Sequence, residues 1–350
     1  MPTVSAEQLA RVGAAILQAA GARPEEAETV ARRCAAANLA GHDSHGVLQI
    51  PGYVERMKRG EIVPGAPFTI LRESATTTVV DGNWGFGYVV TERVMRMTIE
   101  KAAKSDVAAA TVFRQSHIGR LAVYPLMAAE AGMIGLLTAD SGRSPKAVAP
   151  FGGREARLGT NPICIAVPSD LEAPLYLDMA TSAVALSKVT LAAAAGRAIP
   201  EGWIIDKDGK PTTDPKEFRK GGVLLPLGAG EGYKGSGLGA IVEILCGLLT
   251  GLGFGIEPTG RHNDGCFLAV FNVAAFRPLA EFKNEVAAFA RYLKDTPPAE
   301  GSAGVFYPGE IEYAREKERR VKGVEIDDTT WGHLRRLAES YGLAAELGLT

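Results

Sequence analysis

The stretch TILRESATTTVVDGNWGFGYVV, residues 69–90, is where the sequence changes from a helical to a strand-like pattern. β-branched and aromatic residues are frequent here, which is typical of β-strands. We predict two short strands around the turn DGN at 81–83, followed by a helix over about 89–105. The residues before this stretch follow a helical period, so the fold combines helices with a sheet.

The chain ahead of this stretch predicts two helices. Ser5 and Gln8 form a capping box before apolar residues at helical spacing. Pro24 stands at a first helical position, and the helix that it begins is predicted to end near Gly41. The motif HDSHG, residues 42–46, therefore follows a helix end, in the kind of loop that often carries chemistry.

Beyond residue 105, predicted strands alternate with helices up to about residue 277, and the chain is then helical again. The stretch 200–222 is rich in Pro, Gly, Asp and Lys and is predicted to be a long surface excursion. We predict an α+β (mixed α/β) fold in two domains. Residues 66–277 form an inserted, sheet-rich domain, and residues 1–65 and 278–350 form a discontinuous helical domain.

The composition excludes several classes of protein. A chain of 350 residues exceeds the size at which one core usually keeps growing, which favours two domains. Its 38 basic and 40 acidic residues nearly cancel, and no basic run interleaves with aromatic residues, so no nucleic-acid partner is predicted. No window is apolar enough for a membrane span. The four cysteines are widely separated and no signal peptide is visible, which predicts a cytoplasmic protein.

His45 and His117 are the candidate proton-exchanging residues. His45 follows Ser44, whose hydroxyl could orient the imidazole or relay a proton to it. His117 lies in the polar break QSHIGR, residues 115–120, between a predicted strand and a predicted helix. A histidine that titrates near neutrality suits proton exchange with a substrate hydroxyl while hydride leaves the carbon. The residues alone leave a structural role for these histidines about equally open.

Other site chemistries find little support in the sequence. His42 and His45 have a spacing that can bind metal, but no third ligand cluster accompanies them, so we predict no metal site. The Gly-x-Ser-x-Gly motif of serine hydrolases is absent. The run GEGYKG at 230–235 matches a dinucleotide fingerprint, but it lies two-thirds along the chain and no clear strand follows it. It is read as a glycine-rich turn before a helix, where Lys234 and exposed amides could still hold a phosphate.

Seven motifs, in order, resemble the malate/lactate dehydrogenase family that is unrelated to the Rossmann lactate dehydrogenases. The resemblance is greatest to its hydroxycarboxylate dehydrogenase B branch, through HIGR, VAPFGGREARLGTNP and PGEIE. The seven motifs are GHDSHG (41–46), QSHIGR (115–120), GTNPICIAVP (159–168), LDMATSAVALSK (177–188), IPEGWIIDKDGKPTTDP (199–215), LPLGAGEGYKGSGLG (225–239) and YPGEIE (307–312).

The resemblance implies a fold and a reaction. The fold would be a non-Rossmann NAD(P)-binding domain with a large mixed sheet, beside a helical domain formed from both chain ends, in a homodimer. The reaction would interconvert a small 2-hydroxycarboxylate of the malate, lactate or hydroxyphenyllactate type and its 2-oxocarboxylate. The cofactor would be NAD or NADP, with NAD slightly favoured. The alternative on the same fold is reduction of a cyclic imine, such as piperideine- or pyrroline-2-carboxylate.

The resemblance also implies which residues form the site. Ser44 and His45 would serve relay and proton transfer, and His117 matches the acid/base of some members, so the division of labour stays open. Gln49, Thr160 and Lys188 would face the substrate. The cofactor would contact His45, Gly119, Arg120, Leu121, Asp178, Met179, Ala180, Thr181, Lys234, Asn263, Gly309, Glu310, Ile311 and Glu312.

Gln49 departs from the family pattern. Many members read SHGVxR, with an arginine that grips the substrate carboxylate, whereas this chain reads SHGVLQ. A glutamine can donate a hydrogen bond but lacks the charged, bidentate fork of arginine. Either the substrate differs, or another cation holds the carboxylate; the candidates are Arg56, Arg120, Arg143 and Lys188.

Overall fold

The computed structural model describes residues 1–140, 146–256 and 261–349. In these ranges no helix is both long and apolar enough to span a membrane. The helices are α1 (Ala6–Ala19), α2 (Pro24–Leu39), α3 (Ile50–Lys58), α4 (Gly87–Ser105), α5 (Pro125–Glu130), α6 (Leu186–Ala194), α7 (Tyr233–Glu243), α8 (Leu279–Lys294), α9 (Glu310–Lys322) and α10 (Asp328–Ser340). The strands are β1 (Thr3–Val4), β2 (Thr69–Glu73), β3 (Thr77–Gly85), β4 (Val107–Gln115), β5 (Met133–Asp140), β6 (Ile163–Val167), β7 (Leu175–Met179), β8 (Ile204–Ile205), β9 (Pro211–Thr212), β10 (Val223–Leu224), β11 (Gly265–Asn272) and β12 (Val324–Glu325).

A seven-stranded mixed sheet forms the centre of the molecule, in the order β2-β3-β4-β11-β5-β6-β7. Only β3 and β4 run parallel as neighbours, and the other pairs are antiparallel. Alternate residues of β4, Ala108, Ala110 and Val112, are buried in a core with residues of α4 and α5. The predicted mixed α+β class is confirmed, and the sheet differs from the parallel, doubly wound sheet of a Rossmann fold.

The two chain ends pack together in a second core. Leu9 and Ile16 of α1 lie with Val30 of α2 and with Leu334 and Ala338 of α10. The short strands β1 and β12 pair next to this core. Helix α8 belongs elsewhere, because it packs beside the β7 edge of the sheet. The division of the chain at 65/66 and 277/278 stays a prediction.

The predicted turn at 81–83 is wrong. The chain reverses at 74–76, between β2 and β3, and Asp81 lies inside β3. The Asp81 carboxylate accepts a hydrogen bond from the Asn83 amide (2.9 Å) and pairs with Arg114. Asn83 and Trp84 have φ values of +46° and +67°, and the register of β3 with β4 shifts here. The polar DGN therefore marks an irregularity within a strand, which in sequence looks like a turn.

The stretch 200–222, predicted as a surface excursion, contains part of a small sheet of order β10-β8-β9. Ile204 and Leu224 of this sheet are fully buried, together with Val148 and Val189. The stretch is mostly polar, but its two isoleucines, Ile204 and Ile205, are buried and hold it against the rest of the protein.

Most of the predicted site lies along one edge of the large sheet, the edge at which the strands begin or end. Strands β3, β4, β5 and β7 end at this edge, and β6 and β11 begin there, as the pairs Gly265↔Asp140 and Ile163↔Met179 show. The loops that follow β4 and β7, and those that precede β6 and β11, therefore lie side by side.

Candidate active site

The HDSHG loop after α2 is held by a buried asparagine. Asn38 donates through Nδ2 to Asp43 Oδ1 (2.8 Å) and accepts from the Val47 amide (2.9 Å). Arg319 of α9 pairs with Asp43 at 2.8 Å. The Asn38 side chain thus joins the two ends of the loop, and Asp43 joins the loop to α9; together they fix the position of the single-turn helix at Asp43–His45.

His45 and His117 form a stacked pair, although they are 72 positions apart in the chain. Their ring centroids are 5.7 Å apart, with an angle of 22° between the ring planes. Each Nδ1 faces a hydroxyl group, Ser44 Oγ at 3.0 Å from His45 and Tyr53 Oη at 2.7 Å from His117. In the part of the chain that the structure describes, neither Nε2 has a hydrogen-bond partner. These two nitrogens are therefore the ones placed to meet a substrate.

Both histidines are neutral at neutral pH. Burial lowers the pKa of His45 to about 4, and the nearby His42 and Arg120 act in the same direction. Burial lowers the pKa of His117 to about 3, although the negative charge of Asp264 opposes this shift. A neutral imidazole carries one N–H donor and one acceptor nitrogen, so each ring can donate or accept at Nε2 according to its tautomer.

Asp264, at the start of β11, was missed by sequence reasoning. Its Oδ2 accepts from the Ile118 amide (3.1 Å), and its Oδ1 lies 2.8 Å from Nε2 of His262. Burial alone would raise the pKa of Asp264, but the neighbouring His262 and His117 hold the pKa below its usual value. A buried carboxylate thus anchors the loop that carries His117. Its only sequence signal is a polar pair immediately before a strand.

Arg120 connects the loop after β4 with strand β7. It donates to the Tyr176 hydroxyl, and its Nε lies 3.8 Å from Asp178 Oδ2. Asp178 also accepts from the Ala122 amide at 2.9 Å. Gly309 packs against the Tyr176 ring with φ +95°, where a Cβ would overlap the ring and a backbone carbonyl. Residues 119–121, 176–178 and 309 therefore meet at one place.

Helix α9 also connects the HDSHG loop to the residues around Arg120. His42 Nε2 lies 3.7 Å from Glu312 Oε1, and His42 lowers the pKa of Glu312. Arg120 is close enough to influence the pKa of His45. Two residues predicted to contact the cofactor, Arg120 and Glu312, thus lie next to the loop that carries His45.

Three buried oxygen or nitrogen atoms at this edge, in Arg120, Asn161 and Asn263, have no hydrogen-bond partner among the described residues. Two of them belong to predicted cofactor contacts: Nε of Arg120, a donor, and Oδ1 of Asn263, an acceptor. Buried polar groups are normally paired, so these two atoms are available to a ligand. A dinucleotide offers phosphate and ribose groups that suit both atoms, and the residues present therefore fit a nicotinamide cofactor.

Other predicted site residues are exposed or have partners within the chain. Lys234, in the first turn of α7, is two-thirds exposed and pairs with Glu231 at 3.3 Å. Lys188 is exposed on α6. The Gln49 amide donates to the Ser44 carbonyl (2.7 Å). The last residues to place are Thr160, whose carbonyl accepts from buried Thr181; Met179 and Ala180, at the end of β7; Leu121, buried; Glu310, paired with Lys294; and Ile311, exposed on α9.

Comparison with known proteins places this geometry in context. Residues 4–335 match the family model described as malate/L-lactate dehydrogenase. The L-lactate dehydrogenase of Cupriavidus necator is 38% identical, over 97% of this chain and 97% of the relative. The hydroxycarboxylate dehydrogenase B of Escherichia coli O157:H7 is 33% identical, over 95% of this chain and 92% of the relative.

Solved structures give the same picture. The crystal structure of malate dehydrogenase from Entamoeba histolytica superimposes with a TM-score of 0.93 at 34% identity, covering 97% of this chain and 98% of that one. The Δ1-piperideine-2-carboxylate reductase from Pseudomonas syringae pv. tomato superimposes with a TM-score of 0.85 at 31% identity, covering 97% and 100%. The fold is thus shared by proteins that are named for two different reactions.

Proposed function

Because the chain belongs to the malate/L-lactate dehydrogenase family, we propose that it is an NAD(P)-dependent enzyme that interconverts a small 2-hydroxycarboxylate and its 2-oxocarboxylate. The observation that supports this proposal is the stacked pair of His45 and His117, with both Nε2 atoms free of hydrogen bonds among the described residues. The pair adjoins Arg120, the centre of the proposed cofactor contacts.

In the proposed reaction, a bound nicotinamide supplies or accepts the hydride at C2 of the substrate. His45 exchanges the proton of the C2 oxygen through Nε2. Its Nδ1 faces Ser44, which is partly exposed and so connects the ring to solvent. The pKa of about 4 makes free His45 a weak proton carrier, but an anionic substrate beside it favours the protonated ring. Nε2 of His117, the second ring of the pair, contacts the same oxygen.

We propose that Arg56 holds the substrate carboxylate. Tyr53 and Arg56 are three residues apart on α3 and share a face, and the Tyr53 hydroxyl bonds to His117. Nη1 of Arg56 is buried without a hydrogen-bond partner among the described residues. Its charge also reaches the histidine, since it contributes to lowering the pKa of His117. Of the other candidates, Arg120 is bonded to Tyr176, Lys188 is exposed, and Arg143 lies outside the described residues.

The proposed function is tested by oxidation of NADH and NADPH against a panel of substrates. The panel contains pyruvate, oxaloacetate, 2-oxoglutarate, phenylpyruvates, hydroxypyruvate and piperideine-2-carboxylate. Turnover of an oxo acid by the purified protein is the expected result, and the two reduced cofactors assayed in parallel decide between NAD and NADP. A folded protein that binds cofactor but reduces none of these compounds contradicts the proposal.

Reduction of a cyclic imine is the second candidate. It is favoured by the structural similarity to the piperideine-2-carboxylate reductase. Such a substrate also carries a carboxylate next to the carbon that receives hydride, so Arg56 and the histidine pair would serve it in the same way. Turnover of the imine without turnover of any oxo acid would select this reaction.

We infer that the protein is a homodimer, as the resemblance implied. Helix α7 continues into a π-helical segment, Ile244–Leu248, and together with the next residue they expose four large apolar side chains at helical spacing: Ile241, Ile244, Leu248 and Leu249. A contiguous apolar face of this kind is usually covered in a soluble protein. Sedimentation velocity should give the mass of two chains, and Ile244→Glu should give one; a monomeric wild type contradicts the inference.

The predicted cytoplasmic location is also kept as a proposal. Cys34, Cys164, Cys246 and Cys266 are all free thiols and all buried. Free thiols of this kind are typical of a reducing compartment. Fractionation of the source cells would test the location.

A further inference from the structure

A buried row of three side chains ends on His117. Its members are Tyr53, Tyr88 and Cys34, each no more than 2% exposed. The Tyr53 hydroxyl lies 2.7 Å from His117 Nδ1 and 3.2 Å from the Tyr88 hydroxyl, and Cys34 Sγ lies 3.7 Å from the Tyr88 hydroxyl. The reaction proposed above uses none of these three residues.

The row has a preferred direction. A thiol is a weak donor and a weak acceptor, whereas a phenol oxygen and an imidazole nitrogen are good acceptors. If Cys34 donates to Tyr88, Tyr88 to Tyr53, and Tyr53 to His117, all three good acceptors are satisfied. In the opposite direction, the Tyr88 hydroxyl would have to donate to the thiol sulfur over 3.7 Å. Unpaired or poorly paired buried polar groups are costly, so the first direction is favoured.

The three donors keep their protons at neutral pH. Burial raises the pKa of Cys34 to about 12, and it also raises the pKa of Tyr53 and of Tyr88 above their usual values. No member reaches solvent, so the row cannot carry protons to or from His117. This contrasts with His45, whose partner Ser44 is partly exposed.

We propose that Tyr53 is a positioning residue that holds neutral His117 in the tautomer with its hydrogen on Nε2. The consequence of this tautomer for the reaction, given next, rests on the proposed function. The Nε2–H of His117 donates a hydrogen bond to the C2 oxygen and stabilises the negative charge that develops there as hydride arrives. His117 keeps its proton throughout. In reduction, C2 gains the hydride from the reduced nicotinamide, and the oxygen takes its proton from the His45 imidazolium, which becomes neutral.

The tautomer can be measured directly on the unliganded protein. Two-bond ¹H–¹⁵N correlation spectra of the ¹⁵N-histidine-labelled chain distinguish protonated from unprotonated ring nitrogens, and His117→Gln identifies the signals of His117. We expect a protonated Nε2 and an unprotonated Nδ1 in the wild type. A protonated Nδ1 would overturn the proposal, whatever the variants do.

Tyr53→Phe removes the hydroxyl and keeps the ring. We expect its His117 to populate both tautomers, and kcat to fall by about 10- to 100-fold, since a catalytic histidine in the wrong tautomer is strongly impaired. The KM for the reduced cofactor should change less than about twofold, because binding of the cofactor does not depend on the tautomer. A wild-type tautomer in Tyr53→Phe contradicts the proposal.

Tyr124→Phe is the matched control. Tyr124 is equally buried and donates to the Ile118 carbonyl at 2.6 Å, next to His117 but not to its ring. Its variant should keep the wild-type tautomer; the same mixture in both variants would mean a general loosening of the loop and would overturn the proposal. Because the spectra need no substrate, the inference about the tautomer and the proposed function fail separately.

Discussion

His45 and His117 stack with their ring centroids 5.7 Å apart, close enough that His45 contributes to lowering the pKa of His117. Two imidazolium charges at this distance in a buried site would repel each other strongly. The pair therefore carries at most one positive charge at neutral pH. Neither Nε2 has a hydrogen-bond partner among the described residues, so in the proposed reaction the two rings act as a unit on one substrate oxygen.

Removal of either ring should impair this unit. His45→Ala is expected to lower turnover by about 10²- to 10⁴-fold, the usual contribution of a positioned acid/base. His117→Ala should lower it by about 10²- to 10³-fold, the usual cost of losing a hydrogen-bond donor to the developing negative charge. The double variant should be little worse than the poorer single variant, because residues that act together are not additive. Melting temperatures serve as the folding control. Wild-type rates in both single variants would contradict the assignment.

The carboxylate proposal is tested by moving the charge along α3. Arg56→Gln should lower kcat/KM for the oxo acid by about 10- to 150-fold, the equivalent of a lost hydrogen bond to a charged group. Gln49→Arg in the same chain should restore at least part of it, because position 49 carries the arginine in many family members. Arg59→Gln is the control, since Arg59 is exposed and pairs with Glu61. If Arg56→Gln behaves like Arg59→Gln, another group binds the carboxylate.

Gly309 should matter for cofactor binding as well as for folding. It has φ +95°, and a Cβ there would overlap the Pro174 carbonyl and the Tyr176 ring, whose hydroxyl bonds to Arg120. Gly309→Ala is expected to lower the melting temperature and to weaken binding of NADH in a fluorescence titration. Gly301 also has a positive φ but no atom near its Cβ position. Gly301→Ala should therefore cost only about 1 kcal/mol of backbone strain and leave NADH binding unchanged; equal effects on binding would contradict the role of Gly309.

The histidine pair should make stability depend on pH. The folded chain keeps His117 neutral down to its pKa of about 3, whereas the unfolded chain takes up that proton below about 6.5. The free energy of unfolding should therefore fall as the pH drops from 6.5 towards 3, and this histidine should have no effect above 6.5. Between pH 6.5 and 4.5, His117→Asn should reduce the loss by about 2 kcal/mol. Parallel urea titrations of both proteins measure this, and identical slopes would contradict it.

Local chemistry made much of the fold predictable. The Ser5 hydroxyl accepts from the Gln8 amide, as the capping box predicts, and Pro24 begins α2. Such features depend on neighbouring residues, so the sequence states them directly. The DGN at 81–83 shows the limit, because the same letters suit a turn and a strand irregularity. Only the pairing of β3 with β4 and the contact of Asp81 with Arg114 decide between them.

The sequence by itself determined the family, the mixed α+β class and the two candidate histidines, because long motifs and local periods carry that information. The tertiary structure alone decided which groups surround the histidines. Tyr53 meets His117 across 64 positions, and Asp264 meets Ile118 across 146. These contacts form because α3 packs over an edge where β4 ends and β11 begins, and no local pattern encodes the packing of distant elements.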